Sequence, residues 1–129
     1  MLAIDTNLLI RYLTGDDPVQ SASARALIDN NDIFICATVL LEAEWVLRSV
    51  YGYAAADVAK AFIAFAGLPR VTVEDPNLIA KALDWVLQGM DFADALHLAK
   101  AEGCDALVSF DRNFVRLANA IGDVKARIP

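Results

Sequence analysis

At 129 residues and 57% hydrophobic side chains, the chain has the length of one domain and apolar material to spare for its core. Its formal net charge of −6, from 11 Lys and Arg against 17 Asp and Glu, speaks against binding a polyanion by bulk electrostatics, since phosphate contacts need cationic side chains. No apolar run reaches the ~20 residues of a membrane span, and two cysteines with a single histidine are too few for a zinc site.

The N-terminal segment MLAIDTNLLIRYL has no basic region ahead of its apolar part and carries Asp5 within it, so it does not read as a signal peptide. Cys36 and Cys104 lack CxxC spacing and are expected as small buried hydrophobes in a reducing cytoplasm. In chain order, Leu2–Ile4 reads as a strand and Asn7–Leu13 as a helix. Asp17-Pro18 opens the next helix, with a capping carboxylate and proline at the first helical position, and that helix runs to about Asn30. Ile33–Ala37 is a second strand. Val39–Tyr51 follows as a helix capped by Thr38 and ended by Gly52, then Ala55–Ala66 with Gly67 as C-cap and Pro69 beyond. Val71–Val73 is a third strand, after which Asp75-Pro76 opens a helix ending at Gly89. Phe92–Glu102 is a helix closed by Gly103, Ala106–Phe110 a strongly apolar fourth strand, Asn113–Ala118 a short helix and Val124–Arg127 a last strand. Strands separated by helices predict one α/β domain over residues 1–129, with a mostly parallel sheet covered on both faces. In such sheets, sites form outside the carboxyl ends of the strands.

Four acids stand at those ends. Asp5 follows the first strand and precedes a helix; Asp111 does the same after the fourth. Each reads equally as a helix N-cap or as a site residue. Glu42 lies about one turn into the helix after the second strand. The helical phase puts Leu40, Ala43, Leu47 and Val50 on the core face and leaves Glu42 and Glu44 on opposite edges, with Glu42 nearer the strand end. Asp94 belongs to a helix that is apolar nearly all round except for Asp91, Asp94, His97 and Lys100 at three-residue spacing. Asp91 is the expected cap of that helix, Asp94 an acid of its first turn, and His97 a structural or exposed residue. Asp75 is a control: it also sits at a strand–helix joint, yet Pro76 marks a plain helix start. What distinguishes the four is convergence, provided their strands are neighbours.

Clustered carboxylates repel one another and would in part protonate unless compensated. A hard divalent cation such as magnesium removes the repulsion; it prefers oxygen ligands and needs only one or two direct carboxylates. Such an ion activates water and stabilises charge on a phosphodiester, chemistry that suits an acidic crevice without a Ser, Cys or His arrangement. A haloacid-dehalogenase-like phosphatase would need a second Asp two residues after the first, where Asn7 stands. A receiver-type acceptor would need paired acids near the first strand. A non-catalytic binding module would be expected to have lost some of the four acids.

Four segments, IDTN, VLLEAEWVLRSVYG, DFADALHLA and LVSFDRNF, together resemble the PIN-domain nucleases, above all the VapC-type toxins of bacterial toxin–antitoxin pairs, over essentially the whole chain. The resemblance implies a three-layer α/β/α fold with a mostly parallel central sheet of four to five strands. It also implies endonucleolytic cleavage of RNA to a 3′-hydroxyl and a 5′-phosphate, with magnesium or manganese as cofactor. Asp5, Glu42, Asp94 and Asp111 match the family's four acids, which selects Glu42 over Glu44. Asp91 becomes a cap or outer-shell residue, and Ser109 a hydroxyl that orients the site. Asn113 departs from the pattern, since many relatives carry another Asp there. Relatives are typically homodimers silenced by an antitoxin. That makes Trp45, Tyr51, Phe62 and Phe65 candidates for an interface, and Arg112 and Arg116, with Arg11 and Arg48, candidates for meeting RNA phosphates.

Overall fold

The computed structural model describes residues 1–129, which divide into two units, Met1–Pro76 and Asn77–Pro129. The first unit runs β1 (Leu2–Ala3), α1 (Thr6–Thr14), α2 (Pro18–Asn30), β2 (Ile33–Ile35), α3 (Ala37–Ser49), α4 (Ala55–Ala66) and β3 (Val71–Val73). β2 is the central strand, parallel to β1 with Leu2 opposite Ile33 and to β3 with Ile33 opposite Val71. Its Ile33 and Ile35 are fully buried, as a strand covered on both faces requires. The α1 helix packs on α2 and α3, and α4 packs on α3 and β3. On α4, Val58, Ala59, Phe62 and Phe65 are buried, the spacing of an amphipathic helix that turns one stripe inward.

The second unit continues from Pro76 with α5 (Pro76–Leu87), α6 (Phe92–Lys100), β4 (Leu107–Val108), α7 (Arg112–Ile121) and β5 (Ala126–Arg127). Strands β4 and β5 are again parallel, and α7 packs on β5. On α6, Phe92, Ala95, Leu96, Leu98 and Ala99 are buried while Asp91, His97 and Lys100 are exposed. The chain thus has five strands, every pair parallel, in hydrogen-bonded groups of three and two. No helix is long and apolar enough to cross a membrane.

Several local expectations change. The strand expected over Ala106–Phe110 is paired only at Leu107–Val108, because its partner offers two residues; hydrogen bonds from Leu107 N–H to Lys125 O (2.8 Å) and from Ser109 N–H to Arg127 O (3.0 Å) bracket the ladder. Thr38 does not cap α3: the helix already begins at Ala37 with Cys36 as N-cap. Val50, placed on the core face by helical phase, lies beyond the last helical residue and is 69% exposed. Cys104 is exposed and Cys36 half-buried, so neither is a buried hydrophobe. Phe62 and Phe65 are core residues at 1% and 3% exposure, whereas Trp45 is 57% exposed. Only the last of these three is placed to meet a partner.

Candidate functional site

Asp5 stands two residues past β1 as the N-cap of α1, its Oδ1 accepting the Leu8 N–H at 2.9 Å. One cap bond leaves most of a carboxylate's lone pairs unused, so the capping and ligand roles coexist in one side chain. Asp5 is exposed and lines an open groove of about 410 Å³ with Asn7, Arg11, Gln20, Ser23 and Leu27.

The two glutamates of α3 have different surroundings. Glu44 is 3% exposed and forms a two-pronged ion pair with Arg48, whose Nε donates to Oε2 at 2.6 Å and whose second guanidinium nitrogen donates to Oε1 at 3.1 Å. Glu42 is exposed. The i,i+4 spacing of Glu44 and Arg48 was a signal that sequence reasoning passed over.

Sequence reasoning also missed Glu74. The N-cap of α3 makes no side-chain hydrogen bond, and the first N–H groups of a helix need acceptors. The Glu74 carboxylate supplies one from 37 residues away, its Oε1 accepting the Ala37 N–H at 2.7 Å. The in-register ladder explains this: β3 runs parallel to β2, the Glu74 N–H donates to Ile35 O at 3.0 Å, and the side chain then reaches the helix that β2 feeds. Immediately afterwards Asp75, at φ 47°, takes the left-handed conformation that Asp tolerates better than most residues. We expect Glu74→Ala to lower stability by about 0.5–2 kcal/mol, the cost of a lost cap. Glu74→Gln, which keeps a carbonyl acceptor, should recover most of that; urea denaturation of the three proteins measures it.

In the second unit, Asp91 caps α6 as expected, Oδ2 accepting the Asp94 N–H at 3.2 Å. Asp94 is half-buried in the first turn. Burial pushes its carboxyl above the usual range, the negative charges of Asp91 and Asp111 push it further, and His97 opposes them. Asp111 caps α7 through the Phe114 N–H at 3.0 Å, and its own N–H donates to Ser109 Oγ at 3.0 Å. Ser109 therefore orients the backbone that presents Asp111. Asp94 and Asp111 are within electrostatic reach of each other in this unit; Asp5 and Glu42 stand in the first unit on α1 and α3, helices that pack together.

No three His, Cys, Asp or Glu side chains converge tightly enough to hold a metal ion among themselves. Magnesium does not need such a cage, since it keeps several waters and takes one or two carboxylates. The donor chemistry fits: each of the four candidates offers hard oxygens, and the negative charges of Asp91 and Asp111 act on Asp94, opposed by His97. The arginines separate into two groups. Arg11 donates to both oxygens of Asp16 at 3.0 Å and to Gln20 at 2.7 Å, while Asp16 also accepts from Tyr51 Oη at 2.6 Å. Arg48 is held by Glu44. Arg112 and Arg116 lie exposed on α7, Arg116 hydrogen-bonded to the Asn113 side chain.

The family model of the PIN domain matches residues 2–120. Among solved structures, the chain is similar to the crystal structure of VapC20 of Mycobacterium tuberculosis, a sarcin–ricin-loop-cleaving toxin. The two are 22% identical over 98% of this chain and 99% of that one, with a TM-score of 0.46. No curated protein matches the chain.

Proposed function

The chain belongs to the PIN-domain family, and on that premise we propose that it is an endoribonuclease dependent on a divalent cation, with Asp5, Glu42, Asp94 and Asp111 as its site. One observation supports this beyond family membership: burial, and then the negative charges of Asp91 and Asp111, push the Asp94 carboxyl above its usual range against the opposing His97, a cost that a bound cation would relieve. Magnesium is the proposed ion, with manganese as a substitute. Asp5 and Asp94 are its direct ligands; Glu42 and Asp111 complete the shell and orient the attacking water.

When bound, the ion supplies an activated water and neutralises charge on the phosphodiester. The chain's own residues do the rest. The cap bonds at Asp5 and Asp111 fix each carboxylate's direction while leaving oxygens available. The Ser109 hydroxyl holds the Asp111 backbone, and Arg112 and Arg116 meet substrate phosphates. The products are a 3′-hydroxyl and a 5′-phosphate.

The match of motifs to VapC-type toxins supports a toxin role in the cytoplasm, silenced by a cognate antitoxin, for the single domain 1–129. A homodimer accounts for the exposed Trp45 and Ile63 of α3 and α4 and for the nearby Val50 and Tyr53. Purified chain incubated with RNA should cleave it in magnesium, lose that activity in EDTA and regain it when magnesium is restored. Asp5→Asn should fold normally and cleave nothing. Cleavage that persists in EDTA, or full activity in Asp5→Asn, would overturn the assignment; absence of any cleavage would favour a non-catalytic module or a different phosphate hydrolase.

A further inference from the structure

Two phenylalanines flank Asp111, and they have opposite surroundings. Phe114, inside α7, is 7% exposed; Phe110, directly before Asp111, is 84% exposed, more than any other large apolar side chain in the protein. An exposed ring forfeits the stabilisation that burial would give it. Its backbone is nevertheless tightly held. Ser109 N–H donates to Arg127 O, Ser109 Oγ accepts the Asp111 N–H, and Asp111 caps α7. Phe110 belongs to neither the Tyr12–Phe65 pair nor the Tyr51–Tyr53 pair. The ring is presented to solvent by a fixed segment beside a proposed site residue.

The surroundings identify the kind of ligand. Along the chain Ser109, Asp111, Arg112 and Asn113 are polar; Val108, at 46% exposure, and the C-terminal Ile128–Pro129 that the parallel ladder carries past Arg127 add limited apolar surface. One protruding ring with a few small aliphatic neighbours is a narrower feature than the extended apolar patch that marks a protein interface. It does match the face of a single planar base. The net charge of −6 denies the chain bulk attraction for a polyanion, so affinity has to come from short-range contacts. Base–aromatic stacking is such a contact and tolerates any sequence. Arg112, exposed two residues on, is suited to the adjoining phosphate.

We propose that Phe110 is a stacking platform for an unpaired nucleobase of the RNA strand next to the scissile phosphate, with Arg112 on the flanking phosphate. The inference rests on the ribonuclease reading for its substrate, but its test does not require cleavage. Short unpaired RNA oligonucleotides carrying 2-aminopurine at successive positions are titrated into the Asp94→Asn chain. Fluorescence should be quenched at one position. Adding Phe110→Ala should abolish the quench and weaken binding roughly 5- to 150-fold, the span of one lost stack. Phe110→Trp should restore both, and Phe110→Leu, apolar but without a ring, should not. In the otherwise native chain, Phe110→Ala should raise KM with kcat and melting temperature little changed.

Equal RNA binding by the Ala or Leu variants would overturn the proposal, as would loss of self-association in Phe110→Ala with RNA binding intact, which would assign the ring to a protein contact. Ring-dependent binding without any cleavage would leave the platform standing and sink the nuclease reading. Metal-dependent cleavage with an unchanged KM in Phe110→Ala would do the reverse.

Discussion

Replacing Asp94 by Asn should reduce RNA cleavage by at least about 100-fold, the upper end of what loss of even an outer-shell partner of a metal ligand costs, while leaving the fold as stable as before or more so. The two effects have one cause. Asp94 is half-buried in the first turn of α6 and faces the charges of Asp91 and Asp111. A neutral isostere removes that repulsion without changing side-chain volume, and the cap on α6 is undisturbed because it uses the Asp94 backbone N–H and the Asp91 carboxylate. The same substitution removes the group proposed to hold the cation. Thermal denaturation separates the roles. Magnesium should raise the melting temperature of the native chain, since a ligand that binds only the folded state stabilises it, and should do so much less for Asp94→Asn. An active Asp94→Asn enzyme, or one melting well below the native chain, would show that the carboxylate serves the fold instead.

The second large effect concerns α3, where two glutamates two residues apart have opposite surroundings, Glu44 buried and Glu42 exposed. Arg48→Ala should cost about 3 kcal/mol in urea denaturation. Breaking a buried ion pair by removing one partner typically costs about 3–5 kcal/mol, because an unpaired charge is left behind. The lower end applies because the Arg48 side chain is itself 31% exposed, against 4% for Glu44. Glu42→Gln should shift stability by less than about 0.5 kcal/mol, as surface substitutions do, and should lose cleavage. Stability unchanged in Arg48→Ala together with a stability loss in Glu42→Gln would exchange the two roles.

Elements framed by short-range chemistry were legible from residues alone. The Asp17-Pro18 start and the run to Asn30 are found at those positions, as is Ala55–Ala66 with Gly67 following. Asp5, Asp91 and Asp111 each accept the N–H expected of an N-cap. Alternation of strands with helices was enough to predict parallel pairing, and every pair is parallel.

The helix starts at Asp5, Asp17-Pro18, Asp91 and Asp111 were readable because a cap or a proline acts within four residues of itself, so the sequence displays both donor and acceptor together. Folding alone decided the rest: that Glu74 caps a helix beginning 37 residues earlier, that Glu44 is buried while Glu42 is not, that Phe62, Phe65 and Phe114 are enclosed while Trp45 and Phe110 face water. Those outcomes depend on which strand lies beside which and on the side each helix turns inward. They are set by hydrogen-bond register and by packing between segments far apart in the chain, whose separate patterns carry no mark of their eventual neighbours.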